Sequence, residues 1–214
     1  MKTPNPKMQR FKHWFTEYFW YYYKTPIIIG AVVLFSFILV LKLSIVPDPD
    51  IKITTATPYY FSEEILEYME SDLLTVVKDV SGDGIVSIQA NPIMIGDNST
   101  DMSSTADQKV ALSFLDGETT LYIIDDEVYQ IYLAQDGFEK LENYGIDPAE
   151  TDDGYSIVVS AAAVIGEDAI DTTFRLAMRA KQNGKTGEKI EPLMQSAALA
   201  IQHYIDEDAK LGNR

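Results

Sequence analysis

The chain predicts an α/β protein: an N-terminal single transmembrane helix followed by an α/β layered domain. Three observations carry this. Residues 26–41 form an apolar run in which Ser36 is the one clearly polar member. After residue 50, short alternating stretches take turns with longer stretches of helical period, which reads as strands and helices in succession. Charge divides at the same place. Residues 1–46 hold six basic residues against one acid, a balance of +5, whereas the rest of the chain balances at −21. Two environments are implied rather than one uniform surface.

Residues 1–24 read as a basic, aromatic juxtamembrane segment, with nine aromatics, including both tryptophans, between Phe11 and Tyr23. Such rings suit headgroup depth. Residues 25–46 read as the membrane span, with Pro26 expected in its first turn, where no N–H is needed. Lys42 reaches the interface through its long stem. Membrane lipid is therefore the expected partner of residues 25–46. The positive-inside rule puts the N-terminus in the cytoplasm and the acidic bulk outside. A cleaved signal peptide fits less well, because the run is long and no A-x-A-like site precedes "PDPD".

Residues 47–50 are a stiff, acidic linker, and residues 51–210 make the extracytoplasmic domain. A strand is expected from Ile51 through "DIKITTATPYY". Ser62 caps a helix whose apolar stripe runs from Ile65 to Val80, with Gly82 as its stop. "IVSIQANPIMI" is a second strand and Gly96–Thr105 a polar loop. A helix then ends at Gly117, and "TTLYIID" is a compact apolar strand of central character. Asp125 or Asp126 caps the next helix, which Gly137 ends. "YSIVVSAAAVI" and "TTFRLAMRAK" read as two late strands, antiparallel if their connection is short. "EPLMQSAALAIQHYIDEDAK" closes the domain as an amphipathic helix. The sheet is expected to be largely parallel.

Several chemistries are excluded or unsupported. Without cysteine there are no disulfides, thiolate zinc sites, thiol nucleophiles or lipidated cysteines. The strong negative charge repels phosphate backbones, so no nucleic-acid partner is expected. His13 and His203 are the two histidines. Neither sits in an H-E-x-x-H pair, and neither a G-x-S-x-G elbow nor a phosphate-cradling glycine loop occurs. No enzyme activity and no cofactor are expected. Asn98-Ser99-Thr100 matches a glycosylation sequon.

"DVSGDGIVSI" opens like an EF-hand loop, with Asp79, Ser81 and Asp83 at positions 1, 3 and 5 and Gly84 at position 6. Position 12 is Ala90, where a bidentate carboxylate belongs, so the segment is expected to be a helix-to-strand turn rather than a metal site. Ligands of open α/β sheets bind beyond the carboxyl ends of strands. Tyr59, Tyr60, Asn91 and Asp125 are the ligand-binding candidates there, though Tyr60 and Phe61 would equally serve to staple the next helix.

The order of these elements resembles the first lobe of bacterial extracellular solute-binding proteins of the type II periplasmic class. Asp116–Glu118 stands where that family ends a helix, Leu121–Asp125 where a strand carries a ligand-meeting residue, and Gly137–Leu141 where a G-x-x-x-L segment follows. "FRLAMRAKQNGKTGEKIEPLMQSAALAIQHYI" is similar to the family's later part. The resemblance implies a periplasmic-binding-protein-like domain that captures a solute. The chain departs from it in carrying a helix instead of a lipidated cysteine, and in having no tryptophan outside the N-terminal segment. The expected function is non-enzymatic binding of a small ligand or protein partner outside the cell. The alternative is a structural or assembly subunit of an envelope complex.

Overall fold

Helix α1 (Trp20–Ser44) contains the apolar run. At 1.5 Å per residue its 25 residues span about 37 Å, more than a hydrocarbon core of about 30 Å. The window Tyr23–Val40 has a mean hydropathy of 2.0. This computed structural model describes residues 14, 19–44, 49–96, 101–166, 171–181 and 190–212. It divides the chain into two units, Met1–Val46 and Pro47–Arg214. The helix begins earlier than the sequence suggested, so Pro26 lies inside it rather than in its first turn. The aromatic residues continue the same helix: Phe19 stacks on Tyr23 at 5.2 Å, an i, i+4 pair on one face.

In the second unit, strands β1 (Ile51–Thr57), β2 (Ile88–Met94), β3 (Leu121–Ile124), β4 (Ser156–Ser160) and β5 (Thr173–Met178) form one sheet in the order β2-β1-β3-β5-β4. β1 pairs in parallel with β2, Ile51 opposite Ile88, and with β3, Ile53 opposite Leu121. β5 runs antiparallel to both β3 and β4. The sheet is therefore mixed, parallel in one half only. The compact strand "LYII" is central and fully buried, as its lack of alternation predicted. Pro92 lies in β2, an edge strand, where a missing N–H costs no ladder bond on the open side.

Alternation along the strands makes two cores. Ile51, Ile53, Leu121, Ile123, Ile157, Leu176 and Met178 face one side, together with α2 (Glu63–Leu73), α5 (Ala161–Ile165) and α6 (Ile190–Lys210). Ala56, Tyr122, Ile124 and Ala177 face the other, with Val110 and Phe114 of α3 (Asp101–Asp116) and Val128 and Tyr129 of α4 (Asp126–Leu133). On α6 the stripe Met194, Ala197, Ala198, Ile201, Tyr204 and Ile205 is buried. Its many alanines let the helix lie close to the sheet.

Helix α3 begins at Asp101, inside the stretch expected to be the polar loop Gly96–Thr105, and two further boundaries depart from expectation for identifiable reasons. Ser62 caps α2 by accepting the Ile65 N–H, but the helix ends at Leu73 rather than at Gly82. Thr75, Val76 and Val77 are β-branched and weak helix formers. Beyond them, Asp50 draws the chain into another path: its carboxylate accepts the N–H groups of Val80 and Ser81 at 2.7 Å and Ser87 at 2.8 Å. Gly82 and Gly84 then supply the positive φ of the loop. Likewise "YSIVVSAAAVI" is a strand only to Ser160, after which Ala161–Ile165 is helical. Asp208 of α6 accepts the Ser160 N–H at 2.9 Å, and the Thr172 carbonyl accepts that of Ala161. Alanine, with the best intrinsic propensity, then continues as helix.

Asp50 is itself wholly buried. Its own N–H donates to the Ser87 carbonyl at 2.8 Å, one step before the Ile51–Ile88 pair. Replacing it should orphan three partly buried amides at once. We expect Asp50→Ala to cost about 3 kcal/mol in urea denaturation of the whole chain in detergent. A loss below about 1 kcal/mol would mean that solvent readily replaces the carboxylate.

Candidate functional site

β1 and β3 are parallel neighbours, so both carboxyl ends open at the same edge of the sheet. β1 leads there into Pro58 and Tyr59, and β3 into Asp125. Because β5 runs the other way, its first residues Thr173 and Phe174 arrive at that edge too. Together with Thr57 these residues line a cleft of about 230 Å³. That is on the order of eight waters at bulk density, so the space suits a small molecule.

Local bonds fix the walls. The Tyr59 N–H donates to Thr57 Oγ1, and the Thr57 hydroxyl to the Tyr59 carbonyl, both at 3.2 Å. The Tyr59 ring meets Phe61 edge-on at 5.6 Å, and Phe61 in turn contacts Phe174 at 5.6 Å. This aromatic trio holds the loop after β1 against the start of β5. On the other wall, the Asp125 N–H donates to the Ala56 carbonyl, while Asp125 Oδ1 caps α4 by accepting the Val128 N–H at 2.9 Å. Burial pushes the Asp125 carboxyl pKa up. The Val128 bond opposes that rise, and the charges of Glu127 and Asp126 add to it.

Beside the cleft, Arg175 organises an acidic surface. It bonds Asp126 at 2.7 Å and Asp152 at 2.9 Å, and its guanidinium lies 4.7 Å from the Tyr129 ring centroid. The Tyr129 hydroxyl donates to Asp153 at 2.6 Å. Most acids near the cleft are thus paired or capping, and Asp125 is the carboxylate that lines it.

Among the four residues singled out by sequence, Tyr59 and Asp125 line this cleft. Tyr60 projects outward and is 67% exposed. Asn91 lies midway along β2, opposite Thr54. In the 79–85 loop, Asp79 accepts the Gly82 and Gly84 N–H groups at 2.6 and 2.8 Å and the Ser81 hydroxyl at 3.1 Å. Those backbone bonds hold the Asp79 carboxyl below its usual range. Asp83 accepts the Ile85 N–H. Among the described residues no group of three or more His, Cys, Asp or Glu is placed to hold a metal ion. The sequon at Asn98 lies outside the described residues.

Sequence reasoning passed over two arginines in the apolar strand "TTFRLAMRAK". Charges spaced along an otherwise buried strand were the available signal, since arginine is seldom fully buried without purpose. Arg175 builds the acidic surface beside the first cleft, and Arg179 lines a second cleft of about 570 Å³. Compared with known proteins, the chain gives no significant match to any family model, any curated protein or any solved structure.

Asp125 generates a pH test. The folded state holds its proton more tightly than the unfolded chain does. It therefore adds no penalty below the ordinary carboxylate pKa, and it lowers stability as pH rises toward the raised folded value. Asparagine caps about as well as aspartate. The stability of Asp125→Asn relative to wild type, measured by denaturation, should rise from acidic to neutral pH. Asp125→Ala, lacking the cap, should lose about 1 kcal/mol. A wild-type-to-Asn difference independent of pH would contradict the account of a partly desolvated carboxylate.

Proposed function

We propose that this protein is a single-pass membrane-anchored, non-enzymatic binding protein, whose acidic α/β domain takes a small ligand outside the cell. The observation that carries this is the cleft at the carboxyl ends of β1 and β3, lined by Tyr59 and Asp125. Ligand sites of open α/β sheets form at strand carboxyl ends. The sequence resemblance to extracellular solute-binding proteins agrees with that placement, as does the apolar helix α1, long enough to span a bilayer. The basic flank before α1 favours a cytoplasmic N-terminus. The wall chemistry narrows the ligand class: a half-buried carboxylate beside tyrosine favours a compact molecule with an ammonium or hydroxyl donor.

A second reading, an assembly subunit of an envelope complex, draws on a different surface. Leu112 and Leu115 of α3 and Ile131 of α4 are 52–67% exposed, and exposed apolar side chains can serve as contacts when a partner covers them.

The deciding experiment is a thermal-shift screen of the whole protein in detergent against amino acids, polyamines, sugars and divalent cations. A ligand at a hundred times its dissociation constant adds about 2.7 kcal/mol to the folded state. We expect a cationic or hydroxylated compound to raise Tm in wild type, and its effect to fall about tenfold in affinity in Asp125→Asn, the loss of one charge-assisted bond. No response across the panel would remove the support for ligand capture and leave the assembly reading. Protease added to intact cells should digest residues 47–214, and full protection would overturn the orientation.

A further inference from the structure

We propose that the cleft around Arg179 binds a small organic carboxylate, a monoanion with an apolar or aromatic body. This site lies at the opposite end of the sheet from Tyr59, because the Arg179 N–H donates to the carbonyl of Thr120, just before β3. It therefore stands or falls independently of the strand-end cleft.

Arg179 is 3% exposed, and its Nε and Nη1 have no hydrogen-bond partner among the described residues. A buried guanidinium with unfilled donors is unfavourable unless something supplies the acceptors. Its backbone is fixed by the Thr120 bond and by the bridge to Phe138. Gly117, at φ +75°, passes so near that an added Cβ would stand 3.0 Å from Nη1. The glycine thus leaves the guanidinium its place beside the 570 Å³ cleft that it lines. That volume falls in the range of small-molecule sites.

The neighbouring charges set the ligand's charge. Lys181 also lines the cleft, but its ammonium is 2.6 Å from Glu191 and already neutralised. Tyr122 faces Arg179 electrostatically, yet burial pushes its pKa up, so it remains a neutral phenol. Burial lowers the Arg179 pKa from its usual range, Asp116 within electrostatic range opposes that in favour of the charged guanidinium, and Asp136 adds another acid to the lining. The two unfilled donors of one guanidinium match a single carboxylate, and the neighbouring acids oppose a ligand of higher negative charge. The planar guanidinium suits carboxylate geometry.

The other wall sets the ligand's body. Phe114 is stacked between Tyr122 at 4.1 Å and Tyr132 at 3.9 Å. Phe114, Tyr132, Ala111 and Leu115 present this apolar side to the cleft. A carboxylate on Arg179 with a ring or short alkyl chain against Leu115 and Tyr132 would fill both halves.

The test uses the full-length protein in detergent micelles at fixed ionic strength, with benzoate, phenylacetate and octanoate as probes, read by saturation-transfer NMR and Tm. Benzamide and phenyl phosphate serve as neutral and dianionic controls. At least one carboxylate should bind, with benzamide and phenyl phosphate weaker. Arg179→Met should weaken it by about tenfold or more, the scale of a charge-assisted bond. Because the side chain is buried and unpaired, Arg179→Met should also keep or raise the ligand-free Tm. Arg179→Lys keeps the charge without the planar donors and should bind more weakly than wild type. No binding by any of the three probes, or equal binding by Arg179→Met, would overturn the proposal. So would tighter binding of phenyl phosphate, or a large drop in ligand-free Tm in both variants, which marks Arg179 as purely structural.

Discussion

The second unit depends on a buried carboxylate at the entrance to its first strand. Asp50 accepts three backbone N–H groups from one loop and donates its own N–H to Ser87. A buried carboxylate is strongly unfavourable unless its lone pairs are filled, and charge-assisted bonds to backbone N–H groups are among the strongest available. The bonds oblige the chain to turn after α2 and to enter β2 in one register, Ile51 opposite Ile88. Since β1 also carries β3, that register helps to set where both carboxyl ends emerge. The strand-end cleft is a consequence of a bond at the other end of β1.

The same device recurs. Asp208 reaches from α6 to the N–H of Ser160, the last residue of β4, where the strand gives way to the helix α5. Asp125 caps α4 from the end of β3. In each case a carboxylate ends one element and begins another. An acidic composition is usually credited to solubility. Here several of the acids work as backbone acceptors at junctions, and Arg175 gathers others into a paired surface.

This explains what was legible beforehand. The strands β1, β3 and β5, the caps Ser62 and Asp125, and the burial of α6 follow from local period and local bonds, which a sequence displays. Asp50 looked like part of a stiff acidic linker, because its partners lie thirty and more residues away. The end of α2, and the helix α5 within a stretch that reads as all strand, escape the sequence for that reason: the acceptors that decide them come from elsewhere in the chain. The apolar run begins at Pro26, which suggests a first turn there, whereas the helix starts earlier, among the aromatics. At the candidate site, Tyr59 and Asp125 were visible through the strand-end rule. Asn91 was counted with them from its place in "IQANPIMI", and the register of β2 sets it in mid-strand. Arg179 was hidden because an arginine's missing partners cannot be read from its neighbours in sequence.

The most direct measurement is native-state hydrogen exchange, residue by residue, on the protein in detergent. The amides of Val80, Ser81 and Ser87 bond to the buried Asp50, whereas those of Gly82 and Gly84 bond to the fully solvated Asp79. Within one short loop, the first three should exchange as slowly as the ladder of β1, and the two glycines far faster. Uniformly rapid exchange across residues 80–87 would contradict the claim that this carboxylate holds the sheet's parallel half in place.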